Sequence, residues 1–212
     1  MYFKKSQIPN SFELIDNHLS EFFDEDEILV MHEKESEVVH SDIYIIKPNE
    51  DRDYYIMISS GMSALPMHVP FDSPHLAFAE VMILLPSDWN INYNDFANEN
   101  NYWPIRLLKQ LSKYPHLNNT WLGWGHTIPL NDQHIVNHNF HSVLLLDSIT
   151  FSEDFTTIEN EEKNICVYSV IPLYKEELDY VLQEGVSKLM EKFVLFNTEE
   201  IVNIHRINAC VI

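Results

Sequence analysis

Apolar positions along this chain fall into short runs whose spacing alternates between helix-like and strand-like. Phe12, Ile15, Leu19 and Phe22 recur at helical spacing and predict a short first helix. Asn10, with Glu13 three residues on, has the spacing of a capping box in front of it. Residues 28–31 and 43–46 read as short strands, and 47–53 is a polar turn into the next one. Residues 54–60 and 78–85 are nearly continuous apolar runs, the pattern of strands covered on both faces. Two more strands follow at 141–146 and 165–171, the second ended by Pro172. Between them, 147–164 reads as a polar, acidic loop carrying scattered Phe151, Phe155 and Ile158. Leu178, Val181, Leu182, Leu189 and Phe193 then space out one long amphipathic helix, which Gly185 weakens by about 1 kcal/mol relative to alanine. A loop and a final strand fill 197–212. The sum is one α/β domain of the α+β type over residues 1–212, a mixed sheet covered by helices.

The stretch 101–129 stands apart. It holds three of the four tryptophans and two of the four glycines. Pro104 suits a first helical position, since its missing N–H would be unpaired there. Leu107, Leu108, Leu111 and Tyr114 continue at helical spacing, Arg106, Lys109 and Lys113 face water, and Pro115 ends the helix. Trp121-Leu122-Gly123-Trp124-Gly125-His126 has no period. It is either a packed corner or the floor of a site; the expected arrangement is Trp121 and Trp124 packing the helix against the sheet, with His126 bonded locally.

Composition narrows the class. Apolar content of 45% over 212 residues is ample for a core, and no run nears the 18 or so residues of a membrane span. The first five residues lack the features of a signal peptide, and Cys166 and Cys210 are read as free thiols, so a cytoplasmic protein is expected. Thirteen basic against thirty-three acidic residues give a formal charge of −20, which opposes direct binding of nucleic acid or an anionic membrane. The acid sits at the ends. Residues 13–53 hold fourteen acidic and three basic residues, 54–146 hold six and three, and 147–212 hold thirteen and five. Beyond solubility, such a surface can steer a basic protein partner.

Chemistry-bearing clusters are few. His134, His138 and His141, with His126 and Asp132, have spacings that invite a zinc reading. The intervening residues lack helix periodicity and no general-base glutamate is placed, so no metal is assigned. Ser59, Ser60 and Ser63 surround Gly61 at a strand end, and a triad with Asp88 and His126 can be drawn. The nucleophile-elbow pattern needs glycine on both sides, and a serine–glycine turn explains the residues equally well. Four glycines cannot build a phosphate-cradling loop. No cofactor is implied.

Several segments together resemble the Suppressor of fused domain family. They are Ile58 to Ser63, with Gly61, Met62 and Ser63, followed by Pro66-Met67; Ala79 to Trp89, with Pro86, Asp88 and Trp89; and Tyr102 to Leu108, with Trp103 and Pro104. Thr120 to Thr127 follows, with Trp121, Gly123, Trp124, Gly125 and His126, and then Ile171 to Leu178, with Pro172 and Leu173. Their order and spacing cover about 44–193. The chain is similar to a short, single-domain bacterial form. That resemblance implies an α/β domain that binds proteins and carries no catalytic set. Eukaryotic relatives hold a transcription factor, and similar bacterial proteins act as immunity proteins, or antitoxins, against a secreted toxin domain, often a nuclease.

The resulting expectation is a non-enzymatic binding protein that neutralises a basic toxin domain by direct contact. Acidic segments supply the candidate contacts: Asp24, Glu25, Asp26 and Glu27; Glu33, Glu35 and Glu37; and Glu153, Asp154, Glu159, Glu161 and Glu162. Two other readings stay open. One is a small hydrolase or metal-dependent enzyme using Asp88 and His126; the other is a regulatory scaffold whose partner is not a toxin.

Overall fold

The structure, a computed structural model, describes residues 11–36, 38–92, 94–130, 138–160 and 163–211. Helix α1 (Ser11–Phe22) buries Ile15 and Leu19, the face that the spacing predicts. Strands β1 (Ile28–Met31), β2 (Asp42–Ile46), β3 (Tyr54–Ser60) and β4 (Ala79–Pro86) form an antiparallel meander. All five residues of β2 are buried, as are seven of the eight in β4, because the sheet is covered on both sides.

Helix α2 (Glu99–Asn118) corrects the sequence reading at both ends. It begins five residues before Pro104, where the Asn98 side chain accepts the Asn100 N–H at 3.1 Å. Both Pro104 and Pro115 lie inside it and are buried. The helix stops at Asn119, which adopts the left-handed conformation (φ 50°, ψ 48°), while the Pro115 carbonyl accepts N–H bonds from Asn119 and Thr120. Its supposed water face is also partly covered. Arg106 pairs with Glu99, and Lys113 donates to Glu33 at 2.6 Å.

Strands β5 (Thr127–Pro129) and β6 (Ser142–Leu146) pair antiparallel. The acidic 147–164 segment is not all loop: it carries a helical turn, α3 (Glu153–Thr156), and strand β7 (Thr157–Glu159), because Phe155 and Ile158 are buried anchors. Strand β8 (Asn164–Leu173) runs through Pro172, opposite Val143 of β6, rather than ending there. The long C-terminal helix is two, α4 (Lys175–Glu184) and α5 (Val186–Leu195), broken at Gly185 with φ +90°. The final strand is absent from 197–211. There Leu84 and Ile201 form an isolated parallel bridge, and Val202 N–H donates to the Leu84 carbonyl at 2.9 Å.

The mixed eight-stranded sheet has order β1-β2-β3-β4-β8-β6-β5, with β7 beside β8. The β4–β8 contact is parallel and pairs Ala79–Met82 with Cys166–Ser169. Past Met82 the two strands have no further pairing, and Ile201 and Val202 take up the vacated edge of β4. Side-chain alternation separates two faces. Val81, Ile83, Val143 and Leu145 pack with α2, while Met82 and Leu84 pack with α1 and Phe155, and Leu144 and Leu146 pack with α4–α5. No helix among the described residues is long and apolar enough to cross a membrane.

Candidate functional site

The serine–glycine turn after β3 is a buried anchor. Glu80, the second residue of β4, is fully buried, and its carboxylate accepts Ser59 Oγ at 2.6 Å and Gly61 N–H at 3.0 Å. It also accepts Ser63 N–H at 2.9 Å and Ser63 Oγ at 2.7 Å. Burial pushes this carboxyl up, and the four donors oppose that rise. Gly61 sits at φ +137°, and a Cβ there would lie 1.8 Å from the His40 carbonyl oxygen, so no other residue fits without moving backbone. Both serine hydroxyls are therefore committed to Glu80.

The drawn triad is not assembled. Asp88 is exposed, in a cleft of about 530 Å³ whose lining also includes Asn100, Asn101 and His205. His126 lines a different, shallower hollow between Tyr114 and Ile128. Its ring meets the Trp121 ring edge-on at 4.3 Å and is hydrogen-bonded to the Trp121 backbone; burial pulls the imidazole below its ordinary value.

Gly123 makes the Trp121 fold-back possible, since a Cβ there would lie 2.6 Å from the indole. Trp124 departs from its expected packing role: it is 46% exposed. Other signature residues lock elements together. Trp89 Nε1 donates to the Asn101 carbonyl at 3.0 Å and meets the buried Trp103 edge-on, and the Met62 carbonyl accepts His116 Nε2 at 2.9 Å. Leu173 offers its carbonyl to His141 N–H at 2.7 Å.

Of the histidine set, Asp132 and His134 lie outside the described residues. His138 packs against Trp103 and Phe140, and burial holds its imidazole down at about 4. Among the described residues no three metal-ligating side chains converge. Cys166 and Cys210 are free.

The acidic candidates divide. Glu37, Glu161 and Glu162 lie outside the described residues. Glu33 is consumed by Lys113 and by Ser41 N–H at 3.0 Å, and Glu27 by Asn49 and Arg52. Asp24, Glu25, Asp26 and Glu35 are exposed. Glu153, Asp154 and Glu159 meet α1, where they share a hollow of about 410 Å³ with His18, Glu21 and the exposed Phe22. The floor of this region is aromatic: Phe22, Phe23 and Phe151 pack on Phe155, whose carbonyl is hydrogen-bonded by His18 Nε2 at 2.9 Å. Among the described residues no lysine or arginine lines the hollow. Glu159 accepts Asn164 Nδ2 at 3.1 Å, and carboxylates around an aromatic side chain can receive a cationic, partly apolar protein surface.

Two carboxylates escaped the sequence reading. Glu200 is 6% exposed and accepts Ser148 Oγ at 2.7 Å, Ile149 N–H at 3.0 Å, Thr150 N–H at 2.9 Å and Thr150 Oγ1 at 2.7 Å. It thereby fixes the turn that leads into Glu153 and Asp154. Glu177, fully buried, holds Arg206 through two 2.5 Å bonds, and accepts Tyr174 N–H at 3.0 Å and Ala209 N–H at 2.9 Å. Glu177 shares the buried face of α4 with Val181, but nothing in the sequence names its partner; only the fold brings Arg206 to it.

Residues 37–207 match the family described as Suppressor of fused protein (SUFU). An uncharacterized protein of Ureaplasma parvum serovar 3 is 25% identical over 190 residues, covering 89% of each chain. Among solved structures, a SUFU homologue from Neisseria gonorrhoeae FA 1090 superposes with a TM-score of 0.70 at 14% identity, covering 95% of this chain and 98% of its own. A chain of the Sufu-Fu complex gives 0.68 at 13% identity, with 95% and 93% covered. Drosophila Suppressor of Fused gives 0.66 at 13% identity; 95% of this chain matches 51% of that one, about half its length.

Proposed function

This chain belongs to the Suppressor of fused family, and from that premise we propose that it is a non-enzymatic protein-binding domain that works as an immunity protein. Its partner is a basic toxin domain, a nuclease being the chemistry that a −20 surface fits best. The observation that carries this reading is the hollow between α1 and α3–β7. Glu21, Glu153, Asp154 and Glu159 ring the exposed Phe22 there, with no lysine or arginine among the described lining residues. A nuclease must present a positive cleft to phosphates, and covering that cleft with fixed carboxylates blocks it without chemistry. A relative in complex with Fu supports protein binding as the family's mode of action.

Co-expression tests the proposal. The chain is produced together with the toxin domain encoded beside its gene, and survival is scored alongside complex formation by gel filtration. Protection with a stable complex is expected. A toxin that kills equally well in the chain's presence, and does not co-elute with it, overturns the proposal.

A further inference from the structure

A second hollow lies on the other side of the 147–159 segment, between that segment and α5. Leu146, Ile171 and Phe193 floor it, and Ile149 and Val194 form its walls. Its volume is about 110 Å³, smaller than an apolar cavity of roughly 150 Å³ that takes up benzene. One aliphatic side chain fits it. The hollow adjoins a trough of about 830 Å³ along Asp53, Ser87 and Asn197, and the two share Ile149, Phe193, Val194, Thr198, Glu199 and Glu200.

Two observations mark this place as built for an occupant. Ile149 is 76% exposed and Val194 80% exposed, yet both are held firmly. Glu200 fixes Ile149 through its own N–H and through the hydroxyl and N–H of Thr150, while Val194 follows the buried Phe193 on α5. The charge around them has one sign. Asp147 and Glu199 rim the hollow, Asp53 extends the trough, and among the described residues neither lining contains a lysine or arginine. Nearby Arg52 is engaged with Glu27 and the Lys47 carbonyl, and Lys192 lies over the Tyr180 ring.

We propose that this hollow docks an extended segment of a partner protein that places one leucine or isoleucine between Ile149 and Val194, with lysines or arginines on either side against Asp147, Glu199 and Asp53. The site rests on the reading of this chain as a protein-binding domain, and it adds an aliphatic anchor and a sequence preference to the charge-driven contact. Burial raises the Asp147 carboxyl above its ordinary value and the charge of Glu153 adds to that rise, so the rim of this hollow lies within electrostatic reach of the Glu153 end of the Phe22 hollow.

A fluorescein-labelled peptide with one central leucine flanked on each side by two lysines is the probe, followed by fluorescence anisotropy at low salt. Saturable binding is expected, at least tenfold weaker when serine replaces the leucine. Ile149→Asp and Val194→Asp should each weaken binding tenfold or more, whereas Leu182→Asp, at an exposed apolar position elsewhere, should not. Circular dichroism melting checks that the variants fold; if Val194→Asp does not, Ile149→Ser on the exposed turn replaces it. Methyl NMR signals of Ile149 and Val194 should shift on peptide addition. Absence of saturable binding, equal affinity for leucine and serine peptides, or shifts confined to the Phe22 hollow overturns the assignment. Full protection by Ile149→Asp in the co-expression assay overturns it too while leaving the immunity reading intact. Loss of protection by the unmodified chain overturns that reading alone.

Discussion

Arg206→Met removes one half of a buried ion pair, and its cost follows from what stays behind. Glu177 is fully buried and the Arg206 side chain is 9% exposed, so solvent screening is slight. Without the guanidinium the carboxylate keeps only the Tyr174 and Ala209 N–H donors, and the Pro172 carbonyl loses its 2.8 Å bond. Stranding one partner of such a pair costs about 3–5 kcal/mol. Arg206 also lies over Tyr174 at 4.6 Å and near Phe140 and Phe193, contacts that methionine replaces in part. At roughly 2–4 °C per kcal/mol for a chain of this size, the melting temperature should fall by about 6–20 °C. Urea denaturation of Arg206→Met, Glu177→Leu and the double variant forms a cycle. The double variant should cost less than the sum of the singles, since it removes the stranded charge along with its partner. A loss under about 1 kcal/mol for Arg206→Met, or strict additivity, would refute the claim that this pair clamps the C-terminal segment to α4.

Gly61→Ala places a methyl on the His40 carbonyl and demands a positive φ, so it should cost more than about 3 kcal/mol or abolish soluble expression, read by yield and thermal melting. Glu200→Ala should free the 148–151 turn, with Ile149 and Thr150 amides exchanging at least tenfold faster by NMR, while Asp88→Ala leaves them unchanged. For His138, the folded value of about 4 lies below the ordinary 6.5, so the unfolded chain takes up the proton first. Stability should therefore fall as pH drops from about 6.5 to about 4, and His138→Gln should flatten that part of the urea-midpoint profile. Lysine at Glu153, Asp154 and Glu159 together should slow toxin association at least tenfold and reduce its salt dependence; an unchanged rate by stopped flow sinks the acidic hollow as the contact.

Much of the scaffold was legible because burial writes itself as composition. Residues 54–60 and 78–85 carry too few polar positions for a half-wet sheet, and both are interior strands. Proline was misread where tertiary contacts outweigh local cost. Pro104 and Pro115 are buried within α2, and Pro172 sits in β8, although each breaks a local rule. The acidic loop was misjudged for a related reason: two anchors, Phe155 and Ile158, suffice to order a segment whose average is polar. The candidate site was half visible. Charge abundance picked out Glu153, Asp154 and Glu159, but not Glu21 and Phe22, which join them only because α1 crosses β7. Glu80 did leave a trace, as a lone charge within an apolar run.

Ile201 and Val202 occupy the gap where β4 and β8 part, and this has a consequence for biosynthesis. The edge of β4 at Leu84 waits for a strand-like partner that lies more than a hundred residues later in the chain. While the ribosome is still making α4 and α5, that edge offers unpaired backbone groups to any neighbouring nascent chain. A segment made after every strand of the sheet is thus the one that seals its centre, and Arg206, by latching onto Glu177, keeps the seal shut. Chains stopped before residue 200 should accumulate as aggregates rather than as a smaller folded domain, which sedimentation of a 1–199 truncation would reveal.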